Sequence, residues 1–155
     1  MLFNAPADFG EDRAGDVMAL GHALKGLRIL VVEDEAMVAM MVEDMLIDLG
    51  CVVVGIAGSV EKAVSMVGCG DLALDGAVLD INLGGETVFP VADALTERHV
   101  PFIFATGYGT DGLERRYADR PTLTKPFHFR TLEQALMEGL CGVSRRVDAT
   151  PVRPG

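Results

Sequence analysis

Cationic side chains are in short supply. Lys and Arg total 13 against 23 Asp and Glu, a formal net charge of −10 with an isoelectric point near 4.6. Such a chain repels phosphate backbones and anionic bilayers, so it is expected to bind neither nucleic acid nor membrane through charge. Cysteine is sparse as well. Cys51, Cys69 and Cys141 lie far apart with no CxxC pair, which argues against a disulfide framework or a zinc site and fits a reducing, cytoplasmic setting. His22, His99 and His128 share no metal-binding spacing and read as surface or packing residues. The start of the chain lacks the basic, then apolar, pattern of a signal peptide. No run reaches the roughly 18 apolar residues of a membrane span. Tryptophan is absent and aromatics make up only 6%, yet 50% of residues are hydrophobic and 23% charged, a globular composition rather than a disordered one. The 155 residues allow one domain with a tail, able to bury roughly two-thirds of its unfolded surface without a covalent staple.

Residues 1–26 mix five features of loose chain, Pro6, Gly10, Gly15, Gly21 and Gly26, with acids at Asp8, Glu11, Asp12 and Asp16. They read as a flexible N-terminal extension. The spacing of Val17, Leu20 and Leu24 allows a short helix, and an arm packing on the body or on a second copy is the alternative. From Leu27 the pattern alternates. Leu27–Val32 predicts a buried strand, Ala36–Leu49 a helix stopped by Gly50, Cys51–Ala57 a strand, and Ser59 the N-cap of a helix to Val67. Ala77–Asp80 predicts a third strand and Leu83-Gly84-Gly85 a turn. Pro90 fits the first turn of a helix reaching Arg98. Phe102–Ala105 predicts a fourth strand, 113–117 a short helix and Thr122–Thr124 a brief fifth strand. Thr131 and Gln134 suggest a capping box opening a last helix to Leu140. Met37, Met40, Met41 and Met45 fall mostly on the core side of the first helix by period, with some available to a partner. Strands alternating with helices imply an α/β fold, a doubly wound five-stranded parallel sheet with right-handed crossovers over 27–141, followed by a flexible C-terminal tail over 142–155.

In such a sheet, ligands bind beyond the carboxyl ends of the strands. Glu33 and Asp34, Asp80 with Asn82, Thr106 and Lys125 all fall there. Three carboxylates in one pocket raise one another's pKa unless a cation intervenes. Mg²⁺ suits an all-oxygen set of Glu33, Asp34, Asp80 and the Asn82 carbonyl. Asp80 is a candidate nucleophile toward phosphorus. Lys125 and the Thr106 hydroxyl are candidates to neutralise phosphoryl oxygens. Pro126 argues that the Lys125 side chain is aimed rather than free.

The segments Val31-Val32-Glu33-Asp34-Glu35, Leu79-Asp80, Ala105-Thr106 and Lys125-Pro126-Phe127 resemble the receiver domain of two-component response regulators. The resemblance implies a flavodoxin-like strand order 2-1-3-4-5, with Asp80 as phosphoacceptor. It also implies Asp34 as a direct metal ligand, Glu33 acting through water, the Asn82 carbonyl as third ligand, and Thr106 and Lys125 on the phosphoryl group. Asp80-Ile-Asn-Leu-Gly-Gly-Glu, Pro90-Val-Ala-Asp-Ala-Leu and Pro101-Phe-Ile-Phe-Ala-Thr-Gly-Tyr-Gly are similar to the FAT GUY receivers, often stand-alone partners of HWE-type or related sensor kinases. One departure is Thr122, three residues before Lys125, where many receivers carry an aromatic switch residue; Tyr108 is a candidate for part of that role.

Only 29 residues follow Pro126, too few for an output domain. The expected function is therefore that of a single-domain response regulator. It takes a phosphoryl group from a sensor histidine kinase or a histidine phosphotransfer protein, and signals by contact with a downstream protein or by onward transfer. The first helix and the 107–120 segment are the expected partner faces, the latter changing on phosphorylation. It is not expected to be an enzyme in the multiple-turnover sense. Two alternatives stay open. A haloacid-dehalogenase-type phosphatase would place an acid two residues past Asp80, where Asn82 stands; a receiver-like adaptor would take no phosphate.

Overall fold

Four branched or long apolar residues after an exposed arginine form β1, Arg28–Val32, whose last four residues are all buried. In the computed structural model, which describes residues 23–107 and 113–141, β1 is followed by α1 (Ala36–Asp48), β2 (Val52–Ala57), α2 (Val60–Gly68) and β3 (Gly76–Asp80). Then come β4 (Asn82–Leu83), β5 (Glu86–Thr87), α3 (Phe89–Glu97), β6 (Phe102–Thr106), a 3-10 turn (Arg115–Tyr117), β7 (Thr122–Thr124) and α4 (Phe129–Leu140). The sheet order is β2-β1-β3-β6-β7, all parallel. Numbered among the sheet's own strands this is 2-1-3-4-5, the doubly wound order expected.

The period of two along each strand divides the core between two faces. Leu30, Val32, Leu79, Phe102 and Phe104 pack beneath α2 and α3, while Ile29, Val31, Val78, Ile103 and Ala105 pack beneath α1 and α4. The last helix sits tightly on the sheet. A Cβ at Gly76 would strike the Leu140 side chain, and one at Gly139 would strike Ile103. Ser59 caps α2 as its sequence suggests, its hydroxyl accepting from the Lys62 N–H at 3.1 Å. Pro90 sits in the first turn of α3.

Two local expectations are corrected, and one expected turn proves to be the tip of a hairpin. The turn at Leu83-Gly84-Gly85 belongs to an antiparallel hairpin, with Asn82 opposite Thr87 and Leu83 opposite Glu86. Strands of two residues carry no periodicity to read. The last helix begins at Phe129 with His128 as N-cap, so Thr131 lies inside its first turn and caps nothing. The α1 methionines are mostly outside the core. Met37 is 83% exposed, Met40 60% and Met41 38%, because Ala39, Val42 and Leu46 supply the buried stripe. Residues 1–22, 108–112 and 142–155 lie outside the described residues, and with them Tyr108, most of the N-terminal extension and the C-terminal tail. The end of the extension is described. Leu24 is fully buried in the core beneath α1 and α4, and the Gly26 N–H donates to the Gly50 carbonyl at 2.7 Å.

Candidate functional site

The parallel register brings the strand ends to one edge of the sheet. Val32 stands beside Leu79, Asp80 beside Ala105, and Thr106 beside Thr124. The residues immediately after β1 and β7, and the last residues of β3 and β6, therefore share one rim. The result is a cleft of about 480 Å³ lined by Asp34, Glu35, Asp80, Asn82, Gly84, Gly85, Thr106, Gly107 and Lys125. Every site residue expected from the sequence lines this cleft except Glu33, which lies buried beneath it and touches Lys125.

Lys125 is the hub. Its ammonium Nζ donates to Glu33 Oε1 at 2.7 Å and lies 3.3 Å from Asp80 Oδ2. Its backbone N–H donates to the Thr106 carbonyl at 2.8 Å, tying β7 to the end of β6. The Lys125–Pro126 bond is cis. Glu33 uses its second oxygen, Oε2, to accept the Glu35 N–H at 3.1 Å. The Asp80 Oδ1 accepts the Asn82 N–H at 3.4 Å. Glu33, Asp80 and Thr106 are the buried polar residues among those described, whereas Asp34 is exposed.

Burial governs the electrostatics. It pushes the Glu33 carboxyl up from its ordinary value, against the opposing Lys125 hydrogen bond and the Glu35 N–H. Burial likewise pushes Asp80 up, against the charge and hydrogen bond of Lys125. For Lys125, burial pulls the ammonium down, but the Glu33 hydrogen bond and the charges of Asp80 and Glu33 together outweigh it, and the net direction is up. Three formal negative charges thus face one positive charge in a partly desolvated space.

That surplus suits a cation. One carboxylate oxygen from each of Glu33, Asp34 and Asp80 lies within 4.8 Å of the others. The donor set is entirely oxygen, which fits a hard divalent ion such as Mg²⁺. Both Glu33 oxygens already accept hydrogen bonds, and both Asp80 oxygens are engaged as well, Oδ1 by the Asn82 N–H and Oδ2 by the Lys125 ammonium. Asp34 and Asp80 line the cleft.

Two features of this end of the molecule escaped the sequence reading. The hairpin β4–β5 forms a wall of the cleft. The other is Tyr117, the last residue of the 3-10 turn between β6 and β7, which packs against Phe89, Phe102 and Phe104. It is buried, stacks on Phe89 at 6.0 Å, and donates its hydroxyl to Asp93 Oδ1 at 2.6 Å. Arg116 lies 5.0 Å above its ring and pairs with the same Asp93 at 3.0 Å.

The comparisons with known proteins agree with this architecture. The solution structure of SdrG from Sphingomonas melonis Fr1 is 46% identical, covers 72% of this chain and 93% of that one, and superposes with a TM-score of 0.64. The BeF3-activated conformation of SdrG from Pseudomonas melonis Fr1 is also 46% identical, covering 72% of this chain and 94% of that one, with a TM-score of 0.62. The receiver domain of the Erythrobacter litoralis PhyR response regulator is 28% identical, covering 75% and 91% respectively, with a TM-score of 0.65. No curated protein matches the chain. Residues 29–137 match the response regulator receiver domain, and the chain belongs to that family of two-component signalling domains.

Proposed function

We propose that this chain is a stand-alone phosphoacceptor in which Asp80 takes a phosphoryl group from a phosphohistidine of a sensor kinase, HWE-type or related, or of a histidine phosphotransfer protein. One observation carries the reading: β3, β6 and β7 bring a buried carboxylate, a buried threonine and one ammonium to a single cleft, with the Lys125 ammonium 3.3 Å from the proposed nucleophile and paired to buried Glu33 after β1. An Asp80 carboxylate oxygen forms the new O–P bond as the P–N bond breaks, and the electron pair returns to the imidazole ring. Asp34, Asp80 and the Asn82 carbonyl would hold Mg²⁺, with Glu33 through water. The ion, when bound, supplies charge neutralisation at the phosphoryl oxygens. Lys125 and the Thr106 hydroxyl take the remaining oxygens. The new dianion competes with Glu33 for the Lys125 ammonium, and that exchange is the local event from which a conformational response starts.

The working body is residues 27–141 together with the packed Leu24. The proposed setting is the cytoplasm, consistent with three free cysteines. Among the described residues no helix is long and apolar enough to cross a membrane. Output is by contact with a downstream protein or by onward transfer. The testing experiment is phosphotransfer profiling against sensor kinases, with acetyl phosphate as small donor. The expected result is one labelled aspartate at position 80 and no label in Asp80→Asn. A labelled Asp80→Asn overturns the site assignment. Multiple turnover of a phosphomonoester favours a haloacid-dehalogenase-type phosphatase instead, and no label from any donor favours an adaptor.

A further inference from the structure

The hairpin between Asp80 and α3 is short, but it touches both ends of the acidic cleft. Asn82 is its key residue. The Asn82 backbone N–H donates to Asp80 Oδ1 at 3.4 Å, and its side-chain Oδ1 accepts the Gly85 N–H at 3.0 Å. The turn it closes needs Gly84 and Gly85 at φ +59° and +93°, conformations that favour glycine, the second strongly. The far end of the turn reaches Asp34, since a Cβ at Gly84 would lie 3.9 Å from Asp34 Oδ2. The base of the hairpin is fixed. Leu83 and Val88 are buried, and the Val88 N–H donates to the Ile81 carbonyl at 2.9 Å. Ile81 in turn donates to Ala105 at 3.0 Å.

The hairpin thus joins a buried base to a tip of two glycines over the cleft. Beside the backbone pairing of Leu83 with Glu86, the Asn82 side chain supplies a side-chain hydrogen bond to this tip. From this geometry we infer that Asn82 is a positioning residue. By holding the Gly85 N–H, its amide fixes the hairpin as a wall, and through its own backbone N–H it fixes the orientation of the Asp80 carboxylate. The positive φ at Gly84 and Gly85 lets the chain turn back beside Asp34. Asn82 therefore acts on binding in the cleft through Gly85 and Asp80, in addition to any contact its carbonyl makes with a cation. This inference rests on the phosphoacceptor reading for the identity of the bound group.

The test is a double-mutant cycle. Asn82→Ala removes the acceptor, and Gly85→Val disfavours the turn without touching Asn82. Both variants and their combination are titrated with beryllofluoride plus Mg²⁺, and amide exchange is followed at residue 85. Each single variant is expected to weaken binding about fivefold to tenfold and to release residue 85 from exchange protection. The double variant should be little worse than either single one, because both break one closure. Asn82→Ser, which keeps an acceptor oxygen at that position, should recover part of the affinity and the protection. If the wild type binds beryllofluoride but the two effects multiply, or if Gly85 protection is unchanged in Asn82→Ala, the positioning role is overturned and the phosphoacceptor reading stands. If the wild type itself binds no beryllofluoride, that reading fails and the inference falls with it.

Discussion

Replacing Lys125 with methionine keeps the stem and removes the ammonium, leaving two buried carboxylates without their cation. At an effective dielectric constant of about 20, unit charges separated by 2.7 and 3.3 Å attract by about 6 and 5 kcal/mol. Desolvation of the ammonium offsets much of that sum. Removing one partner of a buried pair nonetheless costs about 3–5 kcal/mol, because the remaining charge stays buried. The expected loss for Lys125→Met in urea denaturation at pH 7.5, without divalent ions, is about 3 kcal/mol. Its pH dependence separates this mechanism from simple loss of packing. Glu33 and Asp80 are already raised above their ordinary values of 4.5 and 3.8. The folded state thus binds protons that the unfolded state has lost, and stability grows as the pH falls from neutral toward those values. Without Lys125 both carboxyls rise further, so the variant gains more on acidification than the wild type. The gap between the two should narrow at pH 5.5. Opposite in sign, the Lys125 contribution is fully present below the ordinary lysine value of 10.5 and is lost as the pH rises through its raised folded value. With the proposed Mg²⁺ site in place, millimolar Mg²⁺ should stabilise both the variant and the wild type by linkage. A gap that is the same at pH 5.5 and pH 7.5 would refute the electrostatic reasoning.

Other outcomes follow from separate parts of the molecule. Asp80→Asn should abolish labelling by acetyl phosphate while the protein stays folded, checked by intact mass and circular dichroism. Gly76→Ala should destabilise by about 1–3 kcal/mol, since the added methyl meets Leu140; an unchanged denaturation midpoint would contradict this packing. Tyr117→Phe removes the hydroxyl bound to Asp93 and should cost about 1 kcal/mol in chemical denaturation. In the wild type, Tyr117 should ionise above the ordinary range, because burial and the Asp93 hydrogen bond both oppose the phenolate; absorbance titration reads this directly. Thiol reagents at neutral pH should modify exposed Cys69 first. Cys51, buried and pushed up to about 11, should react only after denaturant is added.

The sheet was legible because its strands combine branched apolar runs with abrupt polar ends. Val32 to Glu33, Leu79 to Asp80 and Ala105 to Thr106 each mark the point where a buried strand meets the rim. The cleft was legible for the same reason, since parallel topology gathers those points on one edge. What the sequence hid was set by contacts across distance. The exposure of Met37 and Met40 follows from Ala39, Val42 and Leu46 taking the sheet-facing stripe, which is one of two apolar stripes that helix could have used. α4 starts at Phe129 with His128 as N-cap, which puts three more residues into the helix than a capping box at Thr131 would. For Asn82 the sequence pointed only to its backbone carbonyl, because the side-chain bond to Gly85 appears only once the hairpin has folded back.

The burial of Leu24 bears on how the protein can be trimmed for experiment. A recombinant fragment that starts at Leu27, where the alternating pattern begins, would leave a leucine-sized slot at the pole remote from Asp80. Emptying such a slot typically costs about 2–5 kcal/mol, a large share of the about 5–15 kcal/mol that holds a domain of this size together. Fragments for crystallisation or binding work should therefore retain that leucine and the residues joining it to the first strand.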